Sequence, residues 1–200
     1  EFSAAEIDDL LDTRLIHNGG YLHFEKMYGG VLDDIFREAR RRGVLTSMDP
    51  QFPLFTMQGR WIKPLGGVLP FVDIFLCDDH EASHITGTTD LNEAAHILLD
   101  AGPEVVVIKM GAEGASIYQK CHHFHQPAIK VGNLVDSIGA GDAFDASFLY
   151  ATLQGWPLER RAAFAAMAAG VTVTGVGGSA TMPSAEVVER LLATDSDGSA

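Results

Sequence analysis

The sequence predicts an α/β fold built on a mainly parallel sheet with helices on both faces, and three observations predict it. Short apolar runs alternate with longer stretches at helical spacing along most of the 200 residues, the pattern of strands joined by helical crossovers. Asp49, Asp78, Lys109 and Asp142 stand at or just after the ends of predicted strands, where open parallel sheets bind their ligands. Glycine and alanine abound in the second half, which suits close packing of helices on a sheet.

Leu15-Ile16-His17 reads as the first strand and ends in the turn Asn18-Gly19-Gly20. Leu32, Ile35, Phe36 and Ala39 mark one face of a helix that closes with Arg40 to Arg42 and stops at Gly43. Val44 to Met48 is the next strand and delivers Asp49. Val72 to Leu76 is a third and Val105 to Lys109 a fourth, with an amphipathic helix from Leu91 to Ala101 between them. Gly111 to Gly114 is a turn, after which Ala115 to Tyr118 and Phe124 form a short antiparallel hairpin at the sheet edge. Ala140 to Leu153 and Leu158 to Ala169 are helical, the second almost all small apolar residues. Ser184 caps a last helix running to Ala193, with Glu186 in its first turn. Residues 195–200 are polar and are expected to fray. With no repeat and no dividing linker, residues 1–200 read as a single domain.

Composition narrows the function classes. A net charge of −13 lacks the basic face that nucleic acid or an anionic membrane surface requires. No apolar run reaches transmembrane length, and the acidic start lacks the basic region and apolar core of a signal peptide. Cys77 and Cys121, the only cysteines, are too few for a disulfide framework and suit reduced thiols in the cytoplasm.

Chemistry concentrates in Asp136-Ser137-Ile138-Gly139-Ala140-Gly141-Asp142-Ala143-Phe144-Asp145. Glycine and alanine leave backbone N–H groups bare at a helix start, where the dipole favours an anion. Asp142 falls in the first turn, placed to take a proton from an attacking hydroxyl. A plain glycine turn with an aspartate cap is the competing reading. The stretch resembles the C-terminal signature of the PfkB/ribokinase family of carbohydrate kinases, Asp-Thr-x-Gly-Ala-Gly-Asp-x-Phe, with Ser137 keeping the hydroxyl of the usual threonine. The resemblance implies a ribokinase-like fold, ATP and Mg2+ as cofactors, and phosphoryl transfer to a sugar hydroxyl. Asp142 would be the base, with the N–H groups of Gly139, Ala140 and Gly141 as the anion hole.

Further motifs take their meaning from that resemblance. Asp78 and Glu81 match the family's Asn-x-x-Glu before a Thr-Gly pair (here Thr86-Gly87), which implies that Glu81 acts on magnesium through water. Asp78 replaces the usual asparagine and adds a charge beside the phosphates; a solvated acidic helix start is the alternative. Lys109, Gly111 and Gly114 resemble the segment lining the nucleotide, with the glycines allowing close backbone approach. The family's potassium site would map to Asp136, Ile138, Thr172, Gly175, Gly177 and Thr181, against a plain glycine loop. Ala166 stands where the family often has asparagine or histidine, so a side-chain contact to the base would be missing. Cys121-His122-His123-Phe124-His125 invites a metal reading, but adjacent histidines on a strand face opposite ways, and an exposed hairpin is the simpler expectation.

The opening residues resemble the middle of such a kinase, so the chain is expected to be its nucleotide-binding and catalytic portion, without the sugar-recognition signature and β-lid. A homodimer is compatible with this expectation, and the identity of the sugar is not legible. A non-catalytic kinase-like binding or regulatory module, and a vitamin-precursor kinase of the same superfold, are the other readings.

Overall fold

The computed structural model describes residues 2–54 and 59–197. Contacts gather the chain into two compact units, Glu1–Lys109 with Ile117–Phe124, and Met110–Ser116 with His125–Ala200.

The first unit begins with α1 (Ala4–Leu10), whose Ser3 and Glu6 form a reciprocal capping box. Strands β1 (Leu15–Gly19) and β2 (Leu45–Asp49) pair in parallel from Leu15↔Leu45 to Gly19↔Asp49. Strands β3 (Ile74–Asp78) and β4 (Val105–Lys109) pair likewise from Ile74↔Val105 to Asp78↔Lys109. The edge strands β5 (Ala115–Gln119) and β6 (His122–Gln126) complete a mixed six-stranded sheet in the order β1-β2-β3-β4-β5-β6. The predicted α/β class is therefore the observed one.

Helix α2 (Val31–Arg42) buries Leu32, Ile35, Phe36 and Ala39, the face its spacing predicts. Gly43 ends it in the left-handed conformation, φ +74°, and Val44 donates its N–H back to the Ala39 carbonyl at 2.9 Å. Val44 thus belongs to the helix exit rather than to the following strand. A similar turn, Val72 N–H to Leu69 carbonyl at 3.1 Å, delays β3 by two residues relative to its predicted start. The first strand instead runs longer than predicted, because Asn18 and Gly19 pair with Met48 and Asp49. The apolar connection between β2 and β3 holds a short helix, α3 (Ile62–Leu65), that periodicity did not reveal. Trp61 precedes it, buried and stacked on His84 at 4.6 Å between ring centroids.

Helix α4 (Asp79–Thr86) starts on an Asp78 cap and stops at left-handed Gly87. Helix α5 (Leu91–Ala101) keeps its predicted bounds, with Asp90 accepting from the N–H groups of Asn92 and Glu93. The core around β3 and β4 is built from Phe36, Met48, Leu65, Leu69, Phe75, Ile85, Leu98 and Ile108, all fully buried. Each such side chain contributes about 1.5–3 kcal/mol by leaving water.

The second unit contains α6 (Ala140–Leu153), α7 (Leu158–Thr172) and α8 (Ala185–Asp197). Phe164, Met167 and Ala168 of α7 pack with Ala151 of α6 and Val188 of α8. Trp156, in the α6–α7 turn, lies edge-on to Phe164 and under the Arg160 guanidinium, 4.0 Å from its ring centroid. Helix α8 continues past the predicted Ala193 into the polar tail; residues 198–200 lie outside the described residues. Among the described residues no helix is long and apolar enough to cross a membrane.

Small residues in α7 let other backbone approach it closely. A Cβ built on Gly170 would stand 2.1 Å from the Ile129 carbonyl oxygen. Gly170→Ala is expected to lower stability by about 1–3 kcal/mol, the usual cost of overpacking, despite alanine's better helix propensity. Urea unfolding of the two proteins measures this, and an unchanged midpoint would contradict the close approach.

Candidate functional site

In the first unit β3 and β4 end level, with Asp78 opposite Lys109, and β2 ends in Asp49 on the other side of β3. Asp49 and Lys109 stand on the two strands that flank β3. Lys109 Nζ lies 2.8 Å from Asp49 Oδ2, with side chains 13% and 7% exposed. The other Asp49 oxygen accepts the Gln51 N–H at 3.0 Å. This carboxylate therefore joins the end of β4 to the turn that leaves β2.

Between them, Asp78 and Glu81 form a capping box at the start of α4. Asp78 Oδ1 accepts the Glu81 N–H at 2.7 Å, and Glu81 Oε2 accepts the Asp78 N–H at 2.8 Å. Glu81 is 6% exposed. Burial chiefly, then the charge of Asp49, pushes its carboxyl from the ordinary 4.5 up to about 7; the Asp78 N–H and Lys109 act in the opposite sense. Cys77, fully buried beside these carboxylates, has its thiol pushed well above its usual range, first by burial and then by Glu81. It is a core thiol rather than a nucleophile.

In the second unit, the predicted anion-binding stretch is a loop entering α6. Gly139 occupies the N-cap with φ +79° and offers no side-chain cap. Ala140 donates its N–H to the Ser137 carbonyl at 3.2 Å, and Ala143 donates to Gly139 at 2.9 Å. Gly141 and Asp142 carry first-turn N–H groups, for which a helix has no carbonyl of its own. Both residues are exposed.

The residues matched to a cation loop gather around this helix start. Asp136 Oδ1 accepts the Ile138 N–H at 3.0 Å, while Val135 and Asp136 donate their N–H groups to the Val173 carbonyl at 2.8 and 3.3 Å. The Thr181 hydroxyl lies 2.9 Å from the Thr172 carbonyl and 2.8 Å from that of Gly178. A Cβ on Gly175 would stand 2.6 Å from Thr181 Cγ2, and Gly177 has φ +113°. The buried Thr172 turns its own hydroxyl back to the Ala168 carbonyl at 2.9 Å.

Gly111 and Gly114 stand in the turn before β5, where Met110 donates its N–H to the Gly114 carbonyl at 2.7 Å. Gly114 is glycine of necessity, since φ is +101° and a Cβ would stand 2.1 Å from the Gln126 carbonyl. Ala166 is buried in α7. On the hairpin, His123 stacks on Tyr118 at 4.4 Å and the His125 ring lies 3.4 Å from the Ser116 hydroxyl. Among the described residues no three His, Cys, Asp or Glu side chains converge as metal ligands would.

Sequence reasoning placed Asp49 and Lys109 at strand ends without pairing them, because the pairing depends on which strands flank β3. It read Asp78 as a charge beside the phosphates and Glu81 as a partner of magnesium, with an acidic helix start as the alternative; the D-x-x-E spacing is also that of a capping box.

The mostly parallel sheet with antiparallel edge strands matches structures of the ribokinase fold. Residues 3–185 match the pfkB family carbohydrate kinase model, and the chain belongs to that family. The ATP-dependent ribose-1-phosphate kinase of Halopiger xanaduensis is 28% identical over 184 residues, 91% of this chain and 57% of the relative. The ribokinase of Arabidopsis thaliana, solved with ribose and ATP, superposes with a TM-score of 0.80 at 23% identity, over 95% of this chain and 59% of its own. A candidate ribokinase II of E. coli, solved with ATP and Mg2+, gives 0.80 at 22% identity over 94% and 61%. At such identities the structural likeness shows the fold. The chain spans 57–61% of the length of these relatives.

The raised Glu81 carboxyl makes stability depend on pH. Between 4.5 and about 7 the folded protein retains a proton there that the unfolded chain has released. Its stabilising contribution is full below 4.5 and is lost as pH rises through 7, a change on the order of 3 kcal/mol. Glu81→Gln is expected to flatten that part of the profile and to be the more stable protein at pH 8. Urea unfolding at pH 5 to 8 tests it; parallel profiles for the two proteins would refute the assignment.

Proposed function

We propose that this chain is the nucleotide-binding and catalytic portion of an ATP-dependent sugar kinase. The γ-phosphoryl group of ATP would pass to a sugar hydroxyl. The observation that carries the reading is the start of α6, where left-handed Gly139 bares the backbone and Asp142 is exposed in the first turn. Asp142 accepts the hydroxyl proton. The N–H groups of Gly139, Ala140 and Gly141 stabilise the transferred phosphoryl group; that of Ala140 also donates to the Ser137 carbonyl at the long end of hydrogen-bond range. Gly111 and Gly114 bring backbone to the nucleotide at the end of the strand that Lys109 closes, and Asp78 stands at the neighbouring strand end.

The carboxyl groups of Glu81 and Asp78 lie together at the start of α4, oxygen donors of the kind a hard divalent cation prefers. Glu81 is a buried carboxylate beside Asp78 and Asp49, and oxygen ligands acting through water suit Mg2+. Glu81 would hold it in this way, with Asp78 beside the phosphates. Magnesium, when bound with the nucleotide, neutralises phosphate charge. For K+, the carbonyls and oxygen side chains of Asp136, Ile138, Thr172, Gly175, Gly177 and Thr181 supply hard oxygen donors beside the same helix start. The cytoplasm is the compartment proposed, in keeping with free Cys77 and Cys121.

A non-catalytic kinase-like module is the second reading, favoured by Asp78, which sets a negative charge where the phosphates would lie. Turnover separates the two. Calorimetry is expected to give magnesium-dependent ATP binding to the wild-type protein and to Asp142→Asn, while turnover falls about 10²–10⁴-fold in the variant. Full turnover by Asp142→Asn would remove it as the base, and absence of nucleotide binding would remove the kinase reading. Exchange of potassium for sodium is expected to lower turnover; equal rates in both salts would exclude the cation loop.

A further inference from the structure

The exits of β1 and β2 carry polar groups that phosphoryl transfer leaves unused. Gln51 follows Asp49 in the turn out of β2 with φ +52°, the single left-handed non-glycine residue among the described residues. Such a backbone is disfavoured for a residue with a long side chain. Asp49 counters this, accepting the Gln51 N–H on one oxygen while Lys109 holds the other. Opposite, Gly20 leaves β1 with φ +83°. A Cβ placed on Gly20 would lie 3.1 Å from Gln51 Oε1 and 3.0 Å from His23 Nδ1, so both polar atoms share the space over its α-carbon. The other His23 nitrogen, Nε2, lies 2.9 Å from the Phe52 carbonyl. A carbonyl only accepts, so Nε2 carries the hydrogen, and Nδ1 is the ring nitrogen on the side of Gln51 Oε1.

We propose that Gln51 and His23 form a hydroxyl-reading pair for the acceptor sugar, and that Asp49 and Lys109 are positioning residues holding Gln51 in place. This inference rests on the sugar-kinase reading above. The place is right, because the pair lies at the carboxyl ends of adjacent parallel strands. The chemistry is right as well: a ring nitrogen and an amide can exchange hydrogen bonds with neighbouring sugar hydroxyls, which both donate and accept. A site of this kind disfavours an analogue that lacks the hydroxyl it reads.

The probes are D-ribose and 2-deoxy-D-ribose, titrated into the chain by calorimetry, with ATP–magnesium titrated in parallel. Gln51→Gly suits the left-handed backbone and removes only the side chain. It is expected to weaken sugar binding about five- to tenfold while leaving ATP–magnesium binding unchanged. Asp49→Asn is expected to weaken sugar binding similarly. The double variant Asp49→Asn/Gln51→Gly is expected to be no weaker than Gln51→Gly alone, because Asp49 acts through Gln51. Undiminished sugar affinity in Gln51→Gly overturns the pair. So does a wild-type protein that binds ATP–magnesium and neither sugar. A wild-type protein that binds neither nucleotide nor sugar removes the kinase reading and the pair with it.

Discussion

The ion pair between Asp49 and Lys109 is the contact on which the strand ends depend. Asp49 and Asp78 end neighbouring strands and Glu81 lies in the first turn of the helix after Asp78, and the charges of both aspartates push up the Glu81 carboxyl. Lys109 is the cation that the sheet order delivers, from the strand on the far side of β3. A buried pair of this kind adds little stability over apolar packing, yet losing one partner is costly because a charge is stranded. Its value is therefore arrangement. With Lys109 on one oxygen and the Gln51 N–H on the other, the carboxylate fixes the turn after β2 and the side chains it carries.

Carboxylates elsewhere in the chain hold local structure together. Asp78 and Glu81 satisfy two N–H groups at the start of α4, which explains how Asp78 replaces the asparagine usual in the family: either side chain can cap a helix. Asp136 bonds the Ile138 N–H in the loop before α6. Asp142 differs. It lies in the first turn of α6 and is exposed, the setting that the proposed base requires.

Long, strongly patterned elements were legible in the sequence: α5, α6 and β4 fall on their predicted bounds, and the buried face of α2 is the predicted one. Errors lie where backbone hydrogen bonding outweighs hydrophobicity. Val44 and Val72 look like strand residues, but their N–H groups close turns behind them. The start of α3 had no signal, because Trp61 to Phe71 is apolar without a helical period and is broken by Pro64, Gly66 and Gly67. At the site, local motifs such as Gly139 to Asp142 could be read directly. Pairings between residues sixty positions apart, such as Asp49 with Lys109, could not, since they follow from strand order. The left-handed Gln51 was hidden for the same reason: the carboxylate that sustains it is held from β4.

The two tryptophans are divided one to each unit, and their surroundings differ. Trp61 is stacked on an imidazole, whereas Trp156 lies beneath a guanidinium and against Phe164. Each unit therefore carries its own intrinsic fluorophore. Replacing Trp156 by phenylalanine leaves an emission signal belonging to the first unit alone, and replacing Trp61 leaves one belonging to the second. The chain can thus report optically whether its halves melt together or in succession, with no dye attached.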